Sequence, residues 1–592
     1  MAISLNSSKA CDPPVTSADF AVWAPSASTV DLHIGNQIRA LSPIENGWWR
    51  CEVDADFVTQ GYKYSIDGGE PLPDPRSRWQ PDGVHGNSYW LDAGRLRKLI
   101  KPGFKQKPLK DAVIYELHIG TFTPAGTYAA AESKLSYLAG LGITHVELMP
   151  LATFPGGHGW GYDGVYWYAP LPAYGSPESL ISLVNACHNN GLAVLLDVVY
   201  NHLGPDGNYL NQFGPYLTDR IKTPWGDSLN FDGPHSNEVR RFVIDNALMW
   251  LRDYGFDGLR LDAVHTIYSF EAVHVLEELA LELAAFRDEA QRTVLLIAES
   301  DLNDPKLVRC NAKGGFGLDA QWSDDFHHAV HRYFTNEEKG VLIDFSGIKD
   351  IAMALNKGFI YRGQYSKFRL RNHGRELRDV LPSQLIVCSQ NHDQVGNRAK
   401  GERLSMLLKP IQLKAIAALV LLGPFTPMLF QGEEWGAATP FLYFTDHQDP
   451  ELVKLVHEGR QKDFASFWQD EVADPQAAHT FQQSQLNWAE RDDPLHQDLL
   501  EWYRVLIRLR RDAPPADTFP QVRFDEQAGW LTFTRGRQLV ALNLASHPQH
   551  VPHPEDVALE ISSVSASKDP NSEFAPFEAR LLVCGDSAGI ES

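Results

Sequence analysis

Residues 255 to 265 read Gly-Phe-Asp-Gly-Leu-Arg-Leu-Asp-Ala-Val-His, an apolar strand interrupted by Arg260 and Asp262. Successive side chains of a strand point to opposite faces, so these two residues share one face. A buried carboxylate must be paired or hydrogen-bonded, and the neighbouring guanidinium would keep Asp262 ionised near neutral pH. That is the state a nucleophile needs, although a structural ion pair on a core strand would have the same sequence.

Seven other apolar runs resemble this strand, and helical segments separate them. One helix is marked by Ser176 before Pro177, and another by an apolar stripe between Ser236 and Gly255. Eight strands alternating with helices predict an α/β fold, a (β/α)₈ TIM barrel. The eight runs are residues 113–119, 143–149, 192–199, 256–262, 293–298, 318–322, 384–389 and 426–430.

The two ends of the chain show a different periodicity. Residues 18 to 92 alternate apolar and polar positions, and so do residues 530–534 and 540–544, which predicts a β-sandwich at each end. Trp23, Trp48 and Trp49 are expected in the core of the first sandwich. The proline-rich segment 72–86 is expected to pack across a domain boundary. We therefore divide the chain into an N-terminal sandwich (1–95), a barrel (96–514) with a short insertion (200–235) after strand 3, and a C-terminal sandwich (515–592).

Composition excludes several classes of partner. The 592 residues include 75 acidic and 53 basic side chains, a formal net charge of −22. This charge repels nucleic acid and anionic membranes, so we expect a neutral substrate. Six cysteines without tight spacing predict reduced thiols and a cytoplasmic protein rather than disulfides or a zinc site. The N-terminus lacks the features of a signal peptide, and no apolar run is long enough to span a bilayer.

Three carboxylates follow barrel strands, where such barrels carry their catalytic groups. Asp262 follows the fourth strand, Glu299 the fifth and Asp393 the seventh. Each one alone could be a helix N-cap, but together they predict a retaining glycosidase, which uses two carboxylates about 5 to 5.5 Å apart. The nearby negative charge would keep Glu299 protonated as the acid, while Arg260 keeps Asp262 anionic.

Four motifs resemble the signature regions of the α-amylase superfamily. The resemblance implies Asp262 as nucleophile, Glu299 as acid/base and Asp393 as stabiliser of the transition state. It also implies that Tyr162, Asp197, His202, Arg260 and His392 surround the cleaved bond. The motifs are residues 197–202, 255–265, 297–300 and 389–393.

Longer runs are similar to the trehalose-releasing hydrolases of this superfamily. The runs are residues 115–123, 200–209, 223–234 and 391–398. This resemblance implies cleavage of the α-1,4 bond next to the terminal trehalose of malto-oligosyltrehalose, with trehalose and maltodextrins as further ligands and no cofactor. The residues expected near the leaving group are Trp225, Ala263, Val264, His265, Asp324, Asp325, Phe326, His327, His328, Phe368, Arg369, Gln394, Val395, Gly396, Asn397 and Glu434.

Three other functions would leave different signatures in the sequence. A branching or debranching enzyme of the same superfamily is the nearest alternative. A non-catalytic sugar-binding barrel would be expected to lack one of the three carboxylates, and none is missing. A metal-dependent hydrolase would need clustered ligands, but His118, His202, His265 and His392 include no His-x-His pair, so we expect no metal. The basic, aromatic segment 357–378 is predicted to be a substrate-covering loop rather than a nucleic-acid contact.

Overall fold

The N-terminal part of the chain folds into two small antiparallel sheets. The computed structural model describes residues 17–465, 472–513, 517–564 and 569–584. The first elements are β1 (Ser17–Trp23), β2 (Val30–Ile34), β3 (Gln37–Ala40), β4 (Ser42–Pro43), β5 (Trp48–Asp54), β6 (Gly61–Ile66), β7 (Ser88–Tyr89) and α1 (Ala93–Leu99). One sheet has the order β1-β5-β4 and the other β3-β2-β6-β7. Trp23 and Trp49 are buried as predicted, whereas Trp48 is half-buried and donates its indole N–H to Glu238.

Eight parallel strands close the central barrel. They are β8 (Ile114–Leu117), β9 (His145–Leu148), β12 (Ala193–Val198), β15 (Gly258–Leu261), β16 (Leu295–Ala298), β17 (Ala320–Trp322), β20 (Leu385–Val387) and β21 (Thr426–Phe430). Each predicted run contains one of these strands, which confirms the barrel. Short antiparallel pairs lie on its loops: β10 (Ala152–Thr153) with β11 (Tyr166–Pro170), β13 (Leu217–Thr223) with β14 (Gly226–Leu229), and β18 (Arg362–Ser366) with β19 (Arg371–Gly374).

Helices surround the barrel and fill its loops. The two helices predicted from their ends are confirmed, and Ser176 caps the first of them by accepting the backbone N–H of Ser179. The helices are α2 (Ile119–Phe122), α3 (Tyr128–Glu132), α4 (Leu135–Leu141), α5 (Pro177–Asn189), α6 (Leu210–Phe213), α7 (Ser236–Asp253), α8 (Val275–Ala290), α9 (Asp324–Thr335), α10 (Ile348–Lys357), α11 (His392–Gly396), α12 (Leu404–Leu407), α13 (Pro410–Leu422), α14 (Pro450–Ala465), α15 (Ala478–Gln483) and α16 (Pro494–Asp512).

The segment 72–86 joins the N-terminal sheets to the barrel, as predicted. Arg76 donates to Asp245 at 3.0 Å and Arg78 donates to Asp253 at 2.6 Å, both on α7. The guanidinium of Arg76 also lies over the ring of Trp48. Ion pairs that start from this segment therefore connect the N-terminal module to the barrel.

The C-terminal strands form one five-stranded antiparallel sheet among the described residues. They are β22 (Val522–Asp525), β23 (Trp530–Arg535), β24 (Gln538–Asn543), β25 (Val557–Ser562) and β26 (Ala579–Cys584), in the order β22-β23-β24-β26-β25. One face packs on the barrel through side chains such as Phe533 and Leu581. The other face is covered by Val551 and Phe574, which lie on loops rather than on a complete second sheet.

Two further sequence predictions concern residues only partly within the described chain. Cys51, Cys187, Cys310 and Cys388 are free thiols, whereas Cys11 and the side chain of Cys584 lie outside what the structure describes. The boundary between 514 and 515 also lies outside them, in the gap 514–516. In the portion of the chain that is described, the structure has no helix with both the length and the apolarity to cross a membrane.

Candidate active site

Arg260 lies at the centre of the charged groups in the barrel mouth. The side chain is fully buried, and Nη1 donates to Asp197 Oδ2 at 2.6 Å and to Asp262 Oδ1 at 2.8 Å. Its guanidinium lies over the ring of Trp322 at 4.1 Å, and Nη2 lies 3.7 Å from Glu299 Oε2. The predicted common face of Arg260 and Asp262 is therefore confirmed. One guanidinium joins carboxylates from three consecutive barrel strands.

Glu299 follows β16 and is held by the loop after β15. Its backbone N–H donates to Leu261, and its Oε2 accepts the N–H of Ala263 at 2.5 Å. Ala263 adopts the left-handed conformation, with φ 39° and ψ 47°, which is uncommon for a residue with a side chain. Burial raises the pKa of Glu299 well above its usual range; Arg260 opposes the shift, and Asp262 and other nearby carboxylates add to it. The direction of this shift favours the protonated form of Glu299, which is the form that a general acid needs.

Asp393 lies in the first turn of α11, which Asn391 caps. Its side chain is 45% exposed, so it faces the open cleft. Asn397, one turn later, donates its amide N–H to Asp393 Oδ1 at 3.1 Å, and His392 Nε2 lies 3.5 Å from Asp393 Oδ2. Asp393 is thus a solvent-facing carboxylate with two polar neighbours, His392 in the same short helix and Asn397 directly after it.

A chain of hydrogen bonds connects α11 to the buried arginine. His392 Nδ1 bonds Glu116 Oε1 at 2.5 Å, and His392 Nε2 bonds the hydroxyl of Tyr162 at 2.8 Å. Tyr162 donates in turn to Asp197 Oδ2 at 2.6 Å. Burial opposes a charge on His392, but the carboxylates of Asp393 and Glu116 raise its pKa to about 9. At neutral pH both ring nitrogens therefore donate, which orients Tyr162 towards Asp197.

The loop after β12 supplies an aromatic wall. His202 is buried and donates from Nε2 to the carbonyl of Tyr162 at 3.0 Å. Burial lowers the pKa of His202, so the ring is neutral. Trp225, in the β13–β14 turn, stacks on the His202 ring at 4.4 Å with an angle of 10° and remains 48% exposed. The two rings, which were predicted separately as substrate contacts, together provide a flat apolar surface of the kind on which sugar rings stack.

A cavity of about 430 Å³ adjoins Asp393 on the side of the sixth and seventh strands. Phe368, in the turn of the β18–β19 hairpin, is 44% exposed and lines it. His327 and His328 line it from α9, and burial lowers their pKa values, that of His328 to about 3. Neutral imidazoles can both donate to and accept from hydroxyl groups. Four of the predicted leaving-group residues besides Phe368 line this cavity: His327, His328, Gln394 and Asn397.

Three other predicted residues have polar or charged neighbours close to Glu299 and Asp393 in sequence or in space. Burial and the neighbouring carboxylate of Asp393 raise the pKa of Asp324, in the first turn of α9, to about 7. Arg369 donates to Asp301 at 3.1 Å, and His265 lies 3.9 Å from the other oxygen of that carboxylate. Asp301 was not predicted, although it follows Glu299 by only two residues.

Several predicted contacts are corrected because their side chains point into the protein. Phe326 is fully buried against Phe425, since the helix that begins at Asp324 turns this residue towards the core. The carboxylate of Asp325 accepts hydrogen bonds from the backbone N–H groups of Ile360 and Tyr361, so it is directed away from the cleft. The other interior side chains are Val264, Val395 and Glu434, the last of which accepts hydrogen bonds from Tyr115 and Tyr137. Gly396 is also buried, against the ring of Trp160.

Sequence reasoning missed another set of residues around the cleft. Glu116 could have been found, because it interrupts an apolar barrel strand as Arg260 does. Glu337, Arg398 and Arg460 gave no comparable signal, yet they line the cavity, and Arg398 donates two bonds of 2.9 Å to Glu337. Within the described part of the chain, no three His, Cys, Asp or Glu side chains are arranged to hold a metal ion.

Comparison with known families places the whole chain rather than single residues. The model of the α-amylase catalytic domain matches residues 103–222 and 227–516. The chain belongs to the α-amylase family. A malto-oligosyltrehalose trehalohydrolase from Rhizobium sp. is 47% identical over 97% of this chain and 99% of the relative, and one from Saccharolobus solfataricus is 44% identical over 83% and 85%. Within the α-amylase family, the chain belongs to the malto-oligosyltrehalose trehalohydrolases.

The chain is also similar to a more distant relative and to solved structures. A 1,4-alpha-glucan branching enzyme from Nocardia farcinica is 32% identical over 54% of this chain and 47% of its own length. The crystal structure of a putative alpha amylase from Salmonella typhimurium is 34% identical, with a TM-score of 0.87 over 96% of this chain and 98% of the other. A pullulanase from Anoxybacillus, 20% identical with a TM-score of 0.72 over 97% and 87%, shares the fold.

Proposed function

We propose that this α-amylase-family enzyme hydrolyses the α-1,4-glucosidic bond next to the terminal trehalose of malto-oligosyltrehalose. The products are trehalose and a shortened malto-oligosaccharide. The observation that supports this chemistry is the buried guanidinium of Arg260, which pairs with Asp262 and lies 3.7 Å from Glu299. The trehalohydrolase relatives that span nearly the whole chain support this choice of substrate.

The geometry supports a double displacement. Asp262 attacks the anomeric carbon, while Glu299, whose pKa is raised, protonates the departing glycosidic oxygen. Water then attacks the glycosyl–Asp262 ester, and the Glu299 carboxylate accepts its proton, which restores both groups. Arg260 keeps Asp262 positioned through both steps, and Asp393 stabilises the oxocarbenium-like transition state. The anomeric configuration is retained because the anomeric carbon is attacked twice, and each attack inverts it.

The cavity beside Asp393 is the proposed position of the leaving trehalose. Trehalose is non-reducing and kinked, so its hydroxyls need partners that a plain α-1,4 chain would not meet in the same places. His327, His328, Gln394 and Asn397 provide polar atoms there, and Phe368 provides an apolar surface. A site built around hydrogen bonds rejects a substrate that lacks the matching groups more strongly than an apolar site does.

We also propose a cytoplasmic location, on the basis of the scattered cysteines. Cys51, Cys187, Cys310 and Cys388 are free thiols, which suits a reducing compartment. Maltodextrins and malto-oligosyltrehaloses are the proposed ligands.

The substrate proposal is tested by separating products made from maltopentaosyltrehalose, plain maltoheptaose and glycogen. We expect trehalose and maltopentaose from the first substrate and much slower cleavage of the other two. Equal cleavage of maltoheptaose would favour an amylase, and new branch points in glycogen would favour a branching enzyme. NMR at early times should show the retained anomer of the shortened chain.

The assigned roles are tested with Asp262→Asn, Glu299→Gln and Asp393→Asn. Each variant should fold, because each keeps the shape of the side chain, and each should lose about three or more orders of magnitude in kcat. An α-maltosyl fluoride separates the roles further, because fluoride needs no proton to leave. Glu299→Gln should therefore form the glycosyl-enzyme from the fluoride much faster than Asp262→Asn does, and equal defects would contradict the acid role.

A further inference from the structure

Helix α14 brings an arginine to the outer side of α11. Arg460 Nη1 donates to Asn397 Oδ1 at 2.8 Å, and Nη2 donates to the carbonyl of Gly396 at 3.1 Å. The guanidinium lies over the ring of Tyr443 at 4.3 Å, which fixes its plane. Arg460 is more than 60 residues from Asn397 in sequence and on no barrel strand, so no signature motif includes it.

The two ends of the Asn397 amide have different partners. Its oxygen accepts from Arg460, and its nitrogen donates to Asp393 Oδ1 at 3.1 Å. An amide has one acceptor end and one donor end, so the cation on one side decides which end faces the carboxylate on the other. With the amide reversed, its oxygen would face the carboxylate of Asp393 and repel it.

Asp393 needs such a constraint because its side chain is nearly half exposed. Besides Asn397, its carboxylate has His392 Nε2 as a polar neighbour, at 3.5 Å. A transition-state-stabilising carboxylate is effective only if it is held in place before the reaction, because misplacement of about 1 Å can cost about 100-fold in rate.

We propose that Arg460 is a positioning residue for Asp393 and acts through the amide of Asn397. This inference rests on the proposed function, which gives Asp393 its role in the transition state. Arg460 does not touch the reacting atoms. It sets the orientation of Asn397, and Asn397 sets the rotamer of the carboxylate. Helix α14, outside the strands and loops of the signature motifs, thereby becomes part of the catalytic framework.

The decisive experiment is a double-mutant cycle with Arg460→Met and Asn397→Ala. Methionine keeps the length of the side chain and its cover over Tyr443 but cannot donate. Each single variant should lower kcat about tenfold or more, with a smaller change in KM. If Arg460 acts through Asn397, the double variant should be no slower than the slower single variant, within about twofold. Additive losses would overturn the proposal.

The fluoride substrate separates positioning from direct contact with the leaving group. Arg460 also lines the cavity proposed for trehalose, so its loss could weaken binding there. Fluoride does not fill that cavity, so a positioning role predicts that Arg460→Met slows α-maltosyl fluoride as much as malto-oligosyltrehalose. Normal turnover of the fluoride with slow turnover of malto-oligosyltrehalose would make Arg460 a leaving-group contact and overturn the proposal.

Three controls complete the design. Arg460→Lys keeps one donor for Asn397 and should recover most of the activity. Lys454→Gln removes an exposed cation from the same helix and should leave kcat unchanged. Asp393→Asn tests the proposed function separately: full activity of this variant would refute the role of Asp393, whereas an inactive Asp393→Asn with a fully active Arg460→Met would refute only the inference about Arg460.

Discussion

At the scale of single residues, His392 owes its charge to the groups around it. The imidazole is 1% exposed, and burial alone would favour the neutral ring. Glu116, bonded to Nδ1 at 2.5 Å, and Asp393 reverse this preference and raise the pKa of His392 to about 9. The positive ring donates to Tyr162, which donates to Asp197 beside Arg260. One proton on His392 therefore helps to order the residues around Asp262.

The Glu116→Gln variant tests this charge through the pH dependence of stability. A histidine whose pKa rises on folding stabilises the fold fully below its ordinary pKa of 6.5, and this stabilisation is lost as the pH rises through about 9. The difference in pKa corresponds to about 3 kcal/mol. Urea unfolding at about pH 6 should show a larger gap between wild type and variant than unfolding at about pH 10.

An exposed glutamate supplies the control for this measurement. Glu45→Gln removes the same formal charge from the surface of the N-terminal module, so its small effect should be the same at both pH values. An equal gap for Glu116→Gln at the two pH values would show that Glu116 does not hold the proton on His392.

At the scale of secondary-structure elements, α11 is positioned by a close contact at Gly396. A Cβ added to Gly396 would lie 2.0 Å from Trp160 Cζ2, closer than any side chain can approach. Trp160 cannot move aside easily, because its ring is buried and its N–H donates to the carbonyl of Leu442 at 2.9 Å. Glycine therefore lets the helix that carries Asp393 rest directly on this ring.

Gly396→Ala should displace α11 and lower both activity and stability. We expect kcat to fall about tenfold or more and the free energy of unfolding to fall by about 1–3 kcal/mol, the usual cost of overpacking. The matched control is Gly140→Ala in α4, where a Cβ would meet no atom within 4 Å. That change should be neutral or stabilise by up to about 1 kcal/mol. Equal behaviour of the two variants would argue against a close-packed α11.

Periodicity predicted the elements, and the positions of charges predicted the catalytic candidates. The alternation of side chains along a strand predicts that Arg260 and Asp262 share one face, and the structure shows their hydrogen bond. The prediction that residues directly after the sixth and seventh strands face the substrate was wrong for Phe326 and Val395, because a short stretch after a strand does not show which way a new helix turns its side chains. The contact of Arg460 with Asn397 depends on the path of the chain across more than 60 residues, which local patterns do not contain.

At the scale of the whole molecule, Asp253 links the N-terminal module to the barrel. It ends α7 with no exposed surface and pairs with Arg78 from the segment 72–86, at 2.6 Å, and with Arg97 of α1, at 2.8 Å. Its neighbour Arg252 also bonds it. Burial opposes the ionisation of Asp253, but these three arginines lower its pKa below the ordinary value. The carboxylate is thus a shared anchor for three separate parts of the chain.

The variant Asp253→Asn should loosen this anchor without altering the catalytic residues. A carboxyl whose pKa is lowered on folding stabilises the fold above its ordinary pKa of 3.8, and this contribution is lost as the pH falls below that value. The three arginines are partly exposed and solvent screens them, so we expect a loss of about 1–3 kcal/mol at neutral pH rather than the full cost of breaking a buried pair. Asp19→Asn breaks an exposed pair with Arg50 and should cost less than about 1 kcal/mol. Calorimetry at neutral pH should give a lower Tm for Asp253→Asn than for Asp19→Asn. If the Tm of Asp253→Asn is no lower, the N-terminal module is held to the barrel mainly by its apolar contacts.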